Sequence, residues 1–154
     1  MTSAVSPAAF LHLVIGYDGS PPARRALDAA VLLLDGRAGR IDIVYVALLS
    51  GVAAEPPAPV APAEMELGLD DIERELHAQA AEQLRDRGAA WAFSRRQGNT
   101  AHELIAVADG LREADPGAFV AIVVGSSSQP IHRVAGSVAV GLSRHPPVPV
   151  MIVP

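Results

Sequence analysis

Five short apolar runs, Leu11–Ile15, Ile41–Leu49, Ala90–Ser94, Phe119–Val124 and Val148–Val153, alternate along the chain with segments whose apolar residues recur at helical spacing. This alternation limits the fold more than any other feature. A run that is apolar at successive positions, as in Leu13-Val14-Ile15, suits a strand covered on both faces. Parallel strands also need a long crossover, usually a helix, between each pair. The pattern therefore predicts an α/β fold with a mostly parallel sheet, helices on both faces and right-handed crossovers.

The intervening segments carry their own signals. After the first run comes Tyr17-Asp18-Gly19-Ser20-Pro21-Pro22, where Ser20 suits an N-cap and Pro21 a first helical turn. Ala23, Ala26, Leu27, Ala30, Val31 and Leu34 then mark one helical face, which Gly36 and Gly39 are expected to end. Residues 50–63 are dominated by Ala and Pro without periodicity and read as a loop inserted within a single domain, residues 10–154. Met65–Arg87 carries a stripe of Leu69, Ile72, Leu76, Ala80 and Leu84, and Thr100-Ala101-His102-Glu103 has the form of a capping box opening a third helix. A short fourth helix is expected from Gly136-Ser137 to the break at Pro146-Pro147. Residues 1–9 read as a disordered tail with no signal-peptide pattern.

Composition removes several function classes. The chain of 154 residues has no cysteine, so disulfides, thiolate metal sites and thiol chemistry are excluded together. Every basic residue is Arg, which excludes a phosphate-loop lysine, a Schiff base and a lysine general base. A net charge of −5 with scattered Arg argues against gripping a nucleic-acid backbone. No apolar run is long enough to span a bilayer, and a cytoplasmic protein is expected. The histidines His12, His77, His102, His132 and His145 show no ligand spacing, and no nucleophile–base pattern stands out, so neither a metal site nor a catalytic residue is assigned.

In an open parallel sheet, ligands lie at the carboxyl ends of the strands where the winding reverses. Two strand ends here carry small residues suited to close backbone approach. One is Gly16-Tyr17-Asp18-Gly19-Ser20; the other is Gly125-Ser126-Ser127-Ser128 with Gly136-Ser137. A helix opening near Ser137 offers unpaired N–H groups to an anion. Arg133 suits a phosphate by charge and shape, and Asp18 suits a ribose or a base amine. Each piece has a plainer reading as a turn, a cap or a solvated side chain.

Leu13-Val14-Ile15-Gly16-Tyr17-Asp18-Gly19-Ser20, Val123-Val124-Gly125-Ser126, Gly136-Ser137-Val138 and the ending Pro149-Val150-Met151-Ile152-Val153 together resemble the universal stress protein family over nearly the whole chain. The resemblance implies a Rossmann-like, adenine nucleotide α-hydrolase-like sheet of five parallel strands in the order 3-2-1-4-5. It implies ATP as ligand, with Mg2+ entering only with the nucleotide. Gly16, Asp18, Val46, Gly125, Ser126, Ser128, Arg133, Gly136, Ser137 and Val138 would form the site, Val46 reading adenine through its backbone. It also implies a homodimer paired through residues 148–153.

The sequence departs from the family's phosphate loop, G-x-x-G-x9-G-[ST]. Ser128 replaces the second glycine, and the spacer Gln129–Ala135 has seven residues. A side chain at a positive-φ position costs roughly 1 kcal/mol, and Pro130 removes one N–H. Three functions stay open: a regulatory dimer that binds an adenine nucleotide and is read by a protein partner, a dimerisation module without nucleotide, and a slow nucleotide hydrolase or nucleotidyl transferase.

Overall fold

The computed structural model describes residues 9–48, 62–126, 138, 141–142 and 147–154. Within them, strands β1 (Leu11–Gly16), β2 (Gly39–Ala47), β3 (Ala90–Gln97), β4 (Phe119–Gly125) and β5 (Val150–Val153) alternate with helices α1 (Pro21–Leu34), α2 (Pro62–Leu84) and α3 (Thr100–Ala114). All four strand pairings are parallel. The sheet order is β3-β2-β1-β4-β5, as the resemblance implies.

Alternation along the central strands divides the core into two layers. Leu11, Leu13 and Ile15 face one side with Ile41, Ile43, Ala121 and Val123, where α1 and α2 cover them with Ala26, Leu27, Ala30, Leu76 and Ala80. Val14 and Val44 face the other side with Val120, Ile122 and Val124, under Ala101, Leu104 and Ala108 of α3. With so few aromatic residues, alanine at the contact positions of α1 and α3 lets each helix backbone lie close to the sheet. Interior packing is then filled by branched aliphatics.

Several boundaries differ from the sequence expectation, each for a physical reason. Gly36 ends α1 with a φ of 68°, but Gly39 does not stop a helix: it opens β2. A Cβ there would press on the Leu11 backbone and stand 2.7 Å from Leu34 Cδ2. β3 runs three residues past Ser94, through Arg95, Arg96 and Gln97. The charge at Arg95 is met by Asp70 and Glu66 at 2.7 Å and Glu73 at 3.3 Å, all on α2, so a polar stretch can continue the strand. α3 is capped by Asn99, whose side chain accepts from His102 N–H, so Thr100 is the first helical residue rather than the cap.

Pro62 and Ala63, expected as the end of the loop, are the first residues of α2. β5 begins at Val150 rather than Val148: Pro149 contributes only its carbonyl, to Ile122 N–H at 2.9 Å, while Val148 is buried beneath. Residues 138, 141 and 142 are helical, within the fourth helix expected from the sequence. Residues 1–8 and 49–61, which hold nearly all of the expected tail and loop, lie outside the described residues.

Candidate functional site at the strand carboxyl ends

β1 lies between β2 and β4, so the chain winds away from it in both directions, and in sheets of this topology the crevice above the carboxyl end of such a strand is where a ligand sits. Hydrogen-bond direction shows what faces that crevice. Val44 C=O accepts from Tyr17 N–H at 2.9 Å, on the β1 side, and Ala47 C=O accepts from Gly98 N–H at 3.0 Å, on the β3 side. Backbone polar groups alternate sides along a strand, so the N–H and C=O of Val46 point toward β1. β1 has already ended: its last paired residue, Gly16, lies opposite Val44. Val46 therefore presents one donor and one acceptor to the space above Gly16 and Tyr17.

On the other flank, Ile122 N–H bonds Pro149 C=O and Ser126 N–H bonds Val153 C=O at 2.7 Å, both toward β5. The same alternation turns Gly125 toward β1, above the last β1–β4 pair, Ile15 with Val123. Five expected site residues, Gly16, Asp18, Val46, Gly125 and Ser126, thus gather around one strand end. Three of them also have a use within the fold. The N–H of Ser126 is already used in the ladder. A Cβ on Gly16 would stand 3.1 Å from Leu104, so this glycine lets α3 approach. At Gly125 a Cβ would overlap the Pro22 carbonyl and stand 2.6 Å from Pro22 Cβ, so this glycine seats the start of α1. Val138 is packed with the α3-side core. Ser128, Arg133, Gly136 and Ser137 lie outside the described residues.

Asp18 and Ser20 both do the turn work their sequence suggests. One carboxylate oxygen of Asp18 accepts from Ser20 N–H at 3.0 Å, and the Ser20 hydroxyl accepts from Ala23 N–H at 3.4 Å. Gly19 takes a φ of 75° between them. Asp18 is exposed, and its second carboxylate oxygen has no hydrogen bond among the described residues. The start of α1 is not an anion site. Pro21 and Pro22 carry no N–H, and the N–H groups of Ala23 and Arg24 are bonded to Ser20. The β1–β2 side therefore offers a backbone donor and acceptor at Val46 and an exposed carboxylate at Asp18.

Two residues unassigned in the sequence complete the surroundings. Tyr17 is 3% exposed, and its hydroxyl makes no hydrogen bond among the described residues. Burial pushes the phenol above its ordinary value, and the Arg24 guanidinium, by its charge and by lying near enough to the hydroxyl to polarise it, offsets part of that rise. Arg24 reaches back from α1 to the Gly19 carbonyl at 3.0 Å. The available signal for Tyr17 was an aromatic beside Asp-Gly in a chain that is 4% aromatic.

A raised phenol favours the folded state only while neutral. Its contribution is complete below the unfolded value of about 10 and is lost as pH rises through the higher folded value. Tyr17→Phe is expected to leave stability at pH 7 unchanged or raised by up to about 1 kcal/mol, because the group nearest the hydroxyl, the Arg24 guanidinium, keeps its bonds to Gly19 and Gln79. It should also flatten the loss of stability above pH 10. Urea unfolding of both proteins at neutral and alkaline pH checks this; a large loss at pH 7 would mean the hydroxyl has a partner.

Comparison with known proteins agrees with this architecture. The family model described as the universal stress protein family matches residues 9–154. Among solved structures, the chain is similar to a universal stress protein in complex with cAMP, at 23% identity over 96% of this chain and 99% of that one, with a TM-score of 0.63. A universal stress family protein from Burkholderia pseudomallei is 24% identical over 93% of this chain and 95% of that one, with a TM-score of 0.60. The universal stress protein from Archaeoglobus fulgidus in complex with dAMP is 16% identical over 97% of this chain and 100% of that one, with a TM-score of 0.58. At these identities the likeness is one of fold. No curated protein matches the chain.

Proposed function

Because the chain belongs to the universal stress protein family, we propose that it is a cytoplasmic regulatory protein of the stress response that binds an adenine nucleotide, ATP in the first instance, and acts through binding rather than catalysis. The observation that carries this reading is the backbone of Val46. Its donor and acceptor face past the end of β1, the strand that leads into the Asp18 turn, and adenine presents one amine donor and adjacent ring acceptors on a single edge. Solved structures similar in fold hold cAMP and dAMP, which supports an adenine ligand. Ser128, Arg133, Gly136 and Ser137 are the residues proposed to meet the phosphates, and Mg2+ would enter only with the nucleotide.

The protein is further proposed to act as a homodimer paired through β5. That strand is at the sheet edge, with Met151 40% and Ile152 45% exposed, and an apolar edge of this kind invites a second strand. Nucleotide would alter the surface that a protein partner reads.

The test is direct. Protein purified without added nucleotide is denatured and the released small molecules identified by mass spectrometry, followed by calorimetric titration with ATP and magnesium. Bound adenine nucleotide or saturable ATP binding is expected. Asp18→Ala should weaken binding by about 10- to 100-fold, the loss of one charge-assisted hydrogen bond plus the turn it holds. Asp18→Asn should fall between, because its amide oxygen still accepts from Ser20 N–H. No released nucleotide and no heat at millimolar ATP would overturn the reading and leave a nucleotide-free dimerisation module. Magnesium-dependent turnover lost in Asp18→Ala would move it to a nucleotide hydrolase. Light scattering on the same sample is expected to give a dimer mass, and a monomer would remove β5 pairing.

A further inference from the structure

The turn that carries Asp18 is tied to α2, an element far from it in sequence. Gly19 sits directly under that helix: a Cβ there would stand 2.7 Å from Leu76 Cδ2 and 2.8 Å from Gln79 Oε1. Arg24 closes the connection with two groups of one guanidinium. Its Nε donates to Gly19 C=O at 3.0 Å, and its Nη2 donates to Gln79 Oε1 at 3.2 Å. Gln79 is in turn held by Glu75 at 3.1 Å, and Gln83 of α2 donates to the Arg24 carbonyl at 2.8 Å. A hydrogen-bonded path therefore runs from Gly19, in the turn that Asp18 closes, through Arg24 to Gln79 in the second half of α2.

The helix it reaches is unevenly held. Leu76, Ala80 and Leu84, in its second half, are buried, whereas Met65, Leu67 and Ile72, in its first half, are 48%, 65% and 43% exposed. The first half is anchored chiefly by carboxylates gathered on Arg95. Such an element opens at low free energy; Gln79 lies within the buried half, between Leu76 and Ala80, and its bond to Glu75 carries the constraint one turn toward the exposed half.

We propose that Arg24 is a positioning residue that couples the Asp18–Gly19 turn to α2 through Gln79, so that filling the crevice and ordering the first half of α2 favour each other. The part that concerns filling rests on the nucleotide reading above. Linkage makes the effect reciprocal: whatever steadies the turn steadies the helix, and loosening the helix at Gln79 loosens the turn. Arginine suits this role because its fork donates in two directions at fixed geometry.

Hydrogen exchange with mass spectrometry, read over residues 16–20 and 65–84, tests the coupling with and without ATP. In the nucleotide-free protein, Gln79→Ala is expected to speed exchange in the Asp18–Ser20 turn by about fivefold or more, although the change is on α2. Arg24→Ala should speed exchange in both segments, and Gln79→Glu, which keeps an acceptor for Arg24, should restore slow exchange in the turn. With saturating ATP, the wild type should gain protection over residues 65–75. Arg24→Ala, still binding ATP by calorimetry, should not. Unchanged turn exchange in nucleotide-free Gln79→Ala overturns the proposal, as does ATP-induced α2 protection that survives in Arg24→Ala. If the wild type binds no ATP, the function proposed above fails, and the turn–helix coupling is still decided by the nucleotide-free measurements.

Discussion

Gly125→Ala is expected to destabilise the protein by about 3 kcal/mol, the upper part of the range for overpacking a filled interior, and to lower Tm by roughly 10 °C. The added Cβ would overlap the Pro22 carbonyl and crowd Pro22 Cβ. Pro22 is held by its ring and by a helix start whose neighbours are already bonded, so the clash meets backbone rather than a flexible side-chain tip. Relief requires the first turn of α1 to lift off β4, which also displaces Ser20 and the Asp18 turn. Nucleotide affinity should therefore fall together with stability.

Gly110→Ala is the informative control. That glycine lies within α3 with open space around it, and alanine there should add about 0.5–1 kcal/mol. Urea unfolding of the two variants measures both signs. A Gly125→Ala protein as stable as the wild type would mean that this glycine serves the ligand loop alone.

Asp42→Ala is expected to cost about 2 kcal/mol, because it leaves the buried His12 ring without its hydrogen-bond partner. Asp42 is 7% exposed in β2, and its carboxylate is shared by Arg40, at 2.7 Å and 3.3 Å, and by the Nδ1 atom of buried His12, at 3.3 Å. His12 is covered on one side by the Phe10 ring, at a centroid distance of 4.9 Å. Neither residue faces water freely, so removing the carboxylate strands a polar ring in the interior.

Asp42→Asn should cost less, since an amide oxygen still accepts. The double variant His12→Leu/Asp42→Leu should recover most of the loss, because Arg40 can turn to solvent. The cluster lies toward the amino ends of the strands, so ATP affinity of the folded protein should be unchanged in all three. Equal stability of Asp42→Ala and wild type would show that the shared carboxylate contributes nothing net.

Most of the fold was legible because its signals are local. Runs apolar at successive positions specify strands covered on both faces, and Ser20 with Pro21 specifies a helix start. The same signals placed Asp18 and Gly125 at strand ends. The weaker predictions failed where a local rule met a distant partner. Ser94-Arg95-Arg96 does not read as strand until three carboxylates of α2 are brought to Arg95. Thr100 and Asn99 both suit an N-cap, and only the geometry of the preceding turn selects Asn99.

The site shows the same division more sharply. Sequence alone determined the order of strands and helices, the absence of lysine and cysteine chemistry, and a small-residue turn carrying Asp18. Only the tertiary structure decided that Gly125 is a glycine because α1 rests on it, that Val46 points its backbone past the end of β1, and that Arg24 joins the Asp18 turn to α2. The reason is physical: periodicity and capping act over a few residues along the chain, whereas close approach, strand overhang and a two-ended guanidinium depend on residues that meet only after the sheet has closed.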